Sequence, residues 1–384
     1  MNIEIRKAGF VNKGAEMMLT AASTRLRTLI PNAVIAVPPS FPPSKNATIA
    51  EISHRGYYLK PERFIFGIDV GRLLAGTLPR PLRRSYRILT DWDIDVIFDA
   101  AGFAYGDQWN PRQTIDLASL SKRWRQAGKK LILLPQAFGP FTSSAIRSGM
   151  AEIIENADLI YARDEESAAY IRDIGGSPPN LRVSPDFTID MMARPSAESD
   201  LSAHDVAIVP NQQISQRVSS DIDRVNYIQA MASVAELVRK LGKQPFILVH
   251  EGSGDIALGL AINGHLSKGM PIYRESNVTA LLARIGECYA MIGSRYHALV
   301  AALAQGVPAL AFGWSHKYEA LFRDFGLNDC LLDYGDSEAT LKRVGQLLNV
   351  TTHSQMRSVL IENGEHIRSK TEAMWIEIAE SLKV

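Results

Sequence analysis

The chain has 384 residues, of which 46% are hydrophobic, and it carries 42 basic and 41 acidic side chains for a formal net charge of +1. This length predicts about two domains, and the hydrophobic content excludes a globally disordered protein. The balanced charge argues against a protein held to nucleic acid by bulk positive charge. Two cysteines, Cys288 and Cys330, exclude a disulfide framework and fit a reducing cytosol.

The first half alternates strand-like and helix-like segments. The pattern predicts an amphipathic helix at residues 15–29 and nearly continuous apolar strands at residues 2–6, 33–37, 95–100, 130–134 and 158–162. Such alternation is typical of crossover units on a parallel sheet whose two faces are covered by helices. We therefore predict an α/β lobe over residues 1–193.

The alternation stops in a polar, proline-containing stretch and then restarts. Residues 194–204 are predicted to be an interdomain linker. A second lobe is predicted at 205–345, with a helix at 222–241 and strands at 206–210, 245–250, 289–292 and 309–312. Residues 346–384 form a helical segment that can pack back on the N-terminal lobe. The fold class is thus α/β, with two Rossmann-like lobes around a central cleft.

No segment has the length and apolar content of a transmembrane helix, and the N-terminus does not resemble a signal peptide. A cytoplasmic location is therefore expected. One basic cluster is best interpreted as a solvated helix face, although it leaves open a peripheral association with the inner face of the membrane. This cluster consists of Arg80, Arg83, Arg84 and Arg87.

The segment 289–322 carries the strongest chemical signal. A strand ends at Gly293, and Ser294 is predicted to cap a helix that begins at Arg295 and stops at Gly306. Arg295 and His297 then lie in the first helical turn, at the carboxyl edge of a parallel sheet, where such sheets bind ligands. The helix N-terminus and the planar guanidinium both favour an anion. The alternative is a surface arginine beside a capping histidine.

A similar arrangement is predicted in the first lobe. Strand 158–162 delivers Arg163 to its carboxyl end, and Asp164 can cap the following helix at 165–174. Arg163 can face Arg295 across the predicted cleft as a second anion contact. The alternative is an ion pair of Arg163 with Asp164 or Glu165.

Two loops add polar candidates. Asn12 and Lys13 precede Gly14 after the first strand, and a loop with Asp99, Asp107 and Gln108 follows another strand and has the composition of a sugar site. A merely structured loop is a serious alternative. Dinucleotide-binding, Walker, zinc-helix and nucleophile-elbow motifs do not occur, so no cofactor or metal is expected.

Five segments in this order resemble the polysaccharide pyruvyl transferases, over residues 9 to about 325. They are NKGAE at 12–16, LPQAFGPF at 134–141, ARDEES at 162–167, SPDFTID at 184–190 and GSRYHALVAALAQGVPALAFGWSHKYEALF at 293–322. The resemblance implies a glycosyltransferase-B-like fold. It also implies transfer of pyruvate from phosphoenolpyruvate to a sugar of a cell-surface or exopolysaccharide precursor, commonly as a cyclic ketal.

The resemblance implies a donor site on Arg163, Arg295, Tyr296 and His297, in which the arginines hold phosphoenolpyruvate and the histidine serves catalysis. The chemistry of the transfer requires an acid and a base, and we expect His297 to be the acid and Asp107 or Asp99 to be the base. By their positions in the sequence, Ser294, His316 and Lys317 are further candidates for contacts with the donor, and Asn12, Lys13, Glu16 and Gln108 are candidates for contacts with the acceptor.

Many relatives carry a glycine run where this chain has Asp99-Ala100-Ala101-Gly102, so the acceptor sugar is not implied. Its carrier stays open among a nucleotide, a lipid and an oligosaccharide. The alternatives are a nucleotide-sugar-dependent glycosyltransferase of the same fold and a noncatalytic sugar- or anion-binding relative.

Overall fold

The computed structural model describes residues 1–10, 12–37, 56–58, 64–65, 68–69, 79, 81–82, 88–192, 205–217 and 221–384. The chain forms two compact units. The first comprises Met1–Val11, Ala15–Thr188 and Lys370–Val384, and the second comprises Asn12–Gly14 and Ile189–Ser369. The predicted linker at 194–204 and the four arginines of the basic cluster lie outside the described residues.

The first unit is built on a parallel sheet. Its strands are β1 (Asn2–Arg6), β2 (Val34–Val37), β3 (Gly56–Tyr58), β6 (Ile88–Leu89), β7 (Val96–Asp99), β8 (Lys130–Gln136), β9 (Leu159–Ala162) and β10 (Leu181–Val183). Their order is β10-β9-β8-β7-β1-β2-β3-β6, so the order reverses between β1 and β7. Two further short strands, β4 (Phe64–Ile65) and β5 (Ile68–Asp69), pair with each other antiparallel.

Helices cover this sheet because its strands are apolar on both faces. They are α1 (Lys13–Leu29), α2 (Arg112–Gln126), α3 (Ser144–Asn156) and α4 (Glu165–Gly175). Ile97, Leu133 and Trp124 are buried together in the core cluster that α2 and α3 close. Gly149 permits the approach of these two helices, since a Cβ there would lie 3.2 Å from Thr114 Cγ2.

The second unit has a five-stranded parallel sheet. Its strands are β11 (Asp205–Val209), β12 (Gln244–Val249), β13 (Ile272–Arg274), β14 (Ala290–Gly293) and β15 (Ala309–Ala311), in the order β13-β12-β11-β14-β15. Its helices are α5 (Gln212–Arg217), α6 (Asp221–Lys240), α7 (Ser253–Asn263), α8 (Val278–Gly286), α9 (Tyr296–Ala304), α10 (His316–Asp324) and α11 (Ser337–Leu348). The order reverses between β11 and β14, which is where open α/β sheets bind ligands.

The last helix, α12 (Val350–Leu382), contributes to both units. In the first unit, the buried ring of Trp375 packs edge-on against Phe187, and the Tyr161 hydroxyl donates to Glu377. In the second unit, His353 stacks on Tyr289. The final turns of α12 therefore contribute to the core of the first unit.

The predicted α/β class with two parallel sheets is confirmed, and each predicted strand lies within two residues of an observed one. The three-residue strands β10 and β13 were not predicted, because they are too short and too exposed for an apolar run to mark them. Among the helices of the described residues, none combines the length and apolarity needed to cross a membrane.

Candidate functional site

Helix α9 begins one residue later than the sequence predicts. Arg295 is the N-cap residue, with φ −96° and ψ 113°, and the helix starts at Tyr296. The predicted capping role of Ser294 is therefore wrong. The physical reason is that Ser294 is fully buried and its hydroxyl accepts a hydrogen bond from the Tyr227 hydroxyl at 2.8 Å.

Buried hydrogen bonds fix the chain at Ser294. Its carbonyl oxygen accepts from Asn211 Nδ2 at 2.8 Å and from the Tyr318 hydroxyl at 2.9 Å. The Tyr227 hydroxyl in turn accepts from the Asn211 backbone N–H at 3.1 Å, and burial raises the pKa of that tyrosine. These bonds tie the ends of β11 and β14 to α6 and α10, so the start of α9 is held in one position.

The Arg295 guanidinium is paired with two carboxylates of the same unit. Its Nε donates to Asp255 Oδ2 at 3.0 Å, its Nη2 to Asp255 Oδ1 at 2.5 Å, and its Nη1 lies 2.5 Å from Glu251 Oε2. Asp255 is buried and also accepts from the backbone N–H groups of Gln212 and Glu251. Burial raises the pKa of Glu251, although Arg295 opposes that effect. The guanidinium that the sequence predicts as a contact for an anionic ligand is therefore paired with two carboxylates of the protein.

His297 lies in the first turn of α9, half-buried and edge-on to Tyr296, with ring centroids 5.5 Å apart. Gly14, which belongs to the second unit, is packed against it: a Cβ at Gly14 would lie 2.5 Å from His297 Nδ1. The neighbouring Lys13 donates from Nζ to the Ser276 carbonyl at 3.1 Å. The segment Asn12–Gly14 therefore contributes to the surroundings of His297.

The loop after β15 places a lysine among aromatic rings. Lys317 Nζ lies 4.8 Å from the ring centroid of Trp314, 5.1 Å from that of Tyr296 and 5.4 Å from that of Tyr318. These distances are within the range of cation–π attraction. His316, the first residue of α10, is half-buried.

His250 directly follows β12 and is not among the site residues that the sequence predicts. It is 2% exposed, and neither ring nitrogen has a hydrogen-bond partner among the described residues. Burial places the pKa of His250 well below its usual value, and the positive charges of Arg295, His297 and Lys13 lower it further. Its position at the end of a predicted strand is the sequence signal that could have identified it, because the carboxyl ends of parallel strands are where such sheets bind ligands.

In the first unit, Arg163 forms a buried ion pair. Its Nη1 donates to Asp186 Oδ2 at 2.9 Å, and both residues are buried. Arg163 thus has an ion-pair partner, Asp186, that the sequence analysis does not predict. The predicted helix cap at Asp164 is confirmed, since its carboxylate accepts from the Ser167 backbone N–H at 2.7 Å.

Asp99 ends β7 and is fully buried. Its Oδ2 accepts from the Tyr105 hydroxyl at 2.9 Å, and Gln136 Nε2 lies 3.4 Å from its Oδ1. Burial raises the pKa of Asp99, while Arg6 and Lys7 oppose that effect. These contacts anchor the loop that follows the strand.

Asp107 anchors the start of α3. It accepts from Thr142 N at 2.6 Å, from Thr142 Oγ1 at 2.7 Å and from Ser143 N at 3.1 Å. Burial raises the pKa of Asp107, but these hydrogen bonds outweigh it and leave the pKa below its usual value. Gln108 Nε2 donates to the Gly139 carbonyl at 3.1 Å. A carboxylate with a lowered pKa is a weak base, so this geometry does not favour Asp107 for that role.

The predicted site residues thus divide between the two units. In the second unit, Ser294 precedes the N-cap residue of α9, and Tyr296 and His297 are the first two residues of that helix. In the first unit, Glu16 is buried in the first turn of α1. No cluster of three or more His, Cys, Asp or Glu residues suited to a metal ion occurs within the described part of the chain. The second unit holds Asn12, Lys13, Ser294, Arg295, Tyr296, His297, His316 and Lys317, and the first holds Glu16, Asp99, Asp107, Gln108 and Arg163.

Two parallel sheets with these strand orders define a glycosyltransferase-B-like fold. The chain is similar to Anabaena HepE in complex with UDP-glucose, with a TM-score of 0.62 and 14% identity over 100% of this chain and 99% of that chain. It is also similar to the UDP-GlcNAc 2-epimerase of Methanocaldococcus jannaschii, with a TM-score of 0.57 and 11% identity over 91% of this chain and 93% of that chain. At these identities the similarity shows the fold alone.

The family is shown by sequence. The family model described as polysaccharide pyruvyl transferase matches residues 12–316, and the chain belongs to this family of transferases. Among the curated proteins, none matches the chain with significance.

Proposed function

We propose that the protein transfers pyruvate from phosphoenolpyruvate to a sugar of a cell-surface or exopolysaccharide precursor, forming a ketal and releasing phosphate. The observation that carries this proposal is the position of Arg295 and His297 at the N-terminus of α9, with Gly14 packed against the His297 ring, in a chain of the pyruvyl transferase family. Lys13, the neighbour of Gly14, adds a positive charge that acts on the same buried histidine, His250, as Arg295 and His297 do. Backbone N–H groups and the helix dipole favour an anion there.

The donor has two anionic groups, a carboxylate and a phosphate. In the proposed complex one of them approaches Arg295, whose charge is balanced by Asp255 and Glu251 in the structure. The raised pKa of Glu251 helps this exchange, because an incoming anion favours the protonated form of a nearby carboxyl group. Glu251 then stops competing for the guanidinium, while Asp255 continues to hold it.

The proposed chemistry begins at the methylene carbon of phosphoenolpyruvate. A proton adds to this carbon and makes it a methyl group, so that C2 becomes electron-poor and a sugar hydroxyl attacks it and loses its proton. The bond from C2 to the phosphate oxygen then breaks, and phosphate leaves with the electron pair. A second hydroxyl attacks C2, loses its proton and closes the ketal ring.

His297 is the proposed acid. A helix N-terminus disfavours a protonated imidazole, whereas a bound phosphate dianion favours it. Donor binding therefore supplies the condition under which His297 carries the proton that the methylene carbon receives. Under this proposal, His297 becomes the acid in the complex with the donor.

The acceptor contacts are proposed on Asn12, Glu16 and Gln108, and on Lys13 in addition to its contribution to the charge of the donor site. Asp99 is the first candidate for the base, and Asp107 is the second because its lowered pKa makes it a weaker base. Each of these carboxylates keeps acceptor sites beside its contacts with Tyr105 or Thr142, because the two oxygens of a carboxylate offer about four lone-pair sites. With phosphoenolpyruvate as the donor, the proposed location is the cytoplasm, where contact with the inner face of the membrane would reach a lipid-linked acceptor.

Mass spectrometry tests the proposal directly. The protein is incubated with phosphoenolpyruvate and a panel of nucleotide-linked, lipid-linked and free glycans, and we expect an adduct with the mass of pyruvate less water. A nucleotide-sugar glycosyltransferase, the alternative that the UDP-glucose complex of HepE favours, would instead release a nucleotide from a nucleotide sugar. A noncatalytic relative would be thermally stabilised by phosphoenolpyruvate without consuming it.

Gly14→Ala is expected to lower phosphate release about 10- to 100-fold, because the new Cβ displaces the His297 ring and misplaced catalytic groups cost about that much. The melting temperature should change little, because alanine favours a helix over glycine by about 1 kcal/mol and this offsets part of the cost of displacing the ring. Gly9→Ala is the control, because nothing lies within 4 Å of a Cβ at Gly9. Equal rates for the two variants, with equal melting temperatures, would show that Gly14 does not position His297.

A further inference from the structure

His250 is a buried polar side chain that the fold does not use. It is 2% exposed, and both of its ring nitrogens lack a hydrogen-bond partner among the described residues. Buried polar groups are nearly always hydrogen-bonded, so each exception needs an explanation. His353 gives the contrast within the same unit: it is equally buried, but its Nε2 lies 2.7 Å from the Tyr289 carbonyl and its ring stacks on that tyrosine.

The location of His250 is that of a ligand contact. It follows β12, which pairs with β11, and β11 pairs with β14 at the strand-order reversal. His250 therefore belongs to the same sheet edge as Ser294 and the start of α9. Carboxyl ends beside such a reversal are where open α/β sheets bind ligands.

The charges that act on His250 point to an anion. Burial lowers its pKa most, and Arg295 and His297 at the start of α9 and Lys13 of α1 lower it further, with no carboxylate of the described residues opposing them. The two acidic residues that follow it in the chain, Glu251 and Asp255, pair with Arg295. A neutral imidazole surrounded by cationic side chains has an N–H to donate but no acceptor, whereas a phosphoryl oxygen would supply one.

We propose that His250 donates a hydrogen bond to a phosphoryl oxygen of the donor substrate, an inference that rests on the proposed function. In this arrangement His250 contributes direction, because its buried N–H donates well only to a ligand oxygen that lies in line with it. Arg295, Lys13 and the α9 N-terminus contribute charge. His297 is then left to transfer the proton. His250 is a binding residue for phosphate and not a further acid.

Isothermal titration of the full-length protein with inorganic phosphate, phosphoenolpyruvate and UDP tests this proposal. His250→Phe is expected to raise the Kd for phosphate and for phosphoenolpyruvate about tenfold, which corresponds to about 1.4 kcal/mol. Its melting temperature should stay the same or rise, because an apolar ring replaces unpaired polar atoms. His353→Phe is the matched control, with unchanged Kd values and a lower melting temperature, since it loses the contact with Tyr289.

A second measurement does not depend on that variant. In ¹⁵N-histidine NMR of the unaltered protein, inorganic phosphate should shift the ring-nitrogen signals of His250, which are assigned by their absence in His250→Gln. His250→Asn and His250→Gln, whose amides approximate Nδ1 and Nε2 respectively, should show which nitrogen donates, because one of them retains more of the affinity. Unshifted His250 signals at saturating phosphate would overturn the proposal.

The outcomes separate this inference from the proposed function. If His250→Phe binds phosphate as tightly as the unaltered protein and consumes phosphoenolpyruvate normally, the inference fails and the function stands. If the unaltered protein binds phosphate through His250 but no acceptor supports consumption of phosphoenolpyruvate, the function fails and a phosphate-binding residue remains. A variant that weakens only UDP binding would contradict the assignment to the donor.

Discussion

His297→Gln is expected to lower phosphate release from phosphoenolpyruvate about 10³-fold, within the usual range for loss of a general acid. The glutamine amide keeps a polar group in the first turn of α9 but cannot deliver a proton at neutral pH. The affinity for phosphoenolpyruvate should change much less, because Arg295 and the helix N-terminus remain. The loss should therefore appear in kcat, with KM nearly unchanged.

His366→Gln is the control, since His366 is exposed on α12 of the same unit. Its rate should equal that of the unaltered protein. If His297→Gln releases phosphate as fast as this control, His297 is not the acid. If it loses only affinity, its role is binding.

Arg295→Met is expected to lower the free energy of unfolding by about 3–5 kcal/mol, the usual cost of breaking a buried ion pair from one side. Asp255 would be left as a buried charge that retains only backbone N–H donors. Denaturant unfolding measures the effect. Arg239→Met is the control, because the Arg239–Glu236 pair is partly exposed and such pairs contribute about 0–1 kcal/mol.

The double variant Arg295→Met with Asp255→Asn tests whether the loss of stability comes from the unpaired buried charge. Removing both charges should cost clearly less than the sum of the single changes, since neither partner is left buried without the other. Additive losses would show that Arg295 stabilises the unit through packing.

Arg295→Lys should weaken donor use, because an ammonium cannot form the planar fork. It should also lower stability, because the contact with Asp255 is impaired, and the sequence does not predict this second effect.

The sheet elements could be predicted because their signal is local. Continuous apolar runs such as residues 130–134 identify strands buried on both faces, and Asp164 before Glu165 marks a helix start. The family segments likewise depend on residues that are neighbours in the chain. The strand-order reversal between β11 and β14 also matches what two Rossmann-like lobes imply.

The partners of the charged residues could not be predicted in this way. Arg295 pairs with Asp255, which lies 40 positions away, and Arg163 with Asp186, which lies 23 positions away. In each pair the two partners follow different strands of one sheet, and the fold brings them together at the carboxyl edge of that sheet. The role of His250 could not be predicted for the same reason. Its burial without a hydrogen-bond partner among the described residues depends on groups that are distant in the sequence.

The predicted N-cap at Ser294 is wrong for the same reason, a partner that is distant in the sequence. Serine is a good cap by composition, yet its hydroxyl is used by Tyr227 from a distant helix, so the cap position falls on Arg295. The aspartates of the first unit follow the same rule. Asp107 lies in a loop with the composition of a sugar site. Its carboxylate, however, accepts from the backbone N–H groups of Thr142 and Ser143 at the start of α3.

The central claim is that pyruvate is transferred after protonation of the methylene carbon of phosphoenolpyruvate. NMR and mass spectrometry of the product formed in D₂O test it most directly, with an acceptor from the glycan panel. The account predicts a ketal whose methyl group carries a single solvent deuterium, formed together with an equal amount of phosphate, and a rate that collapses in His297→Gln. A product without solvent deuterium in the methyl group, or phosphate release with no sugar adduct, would contradict it.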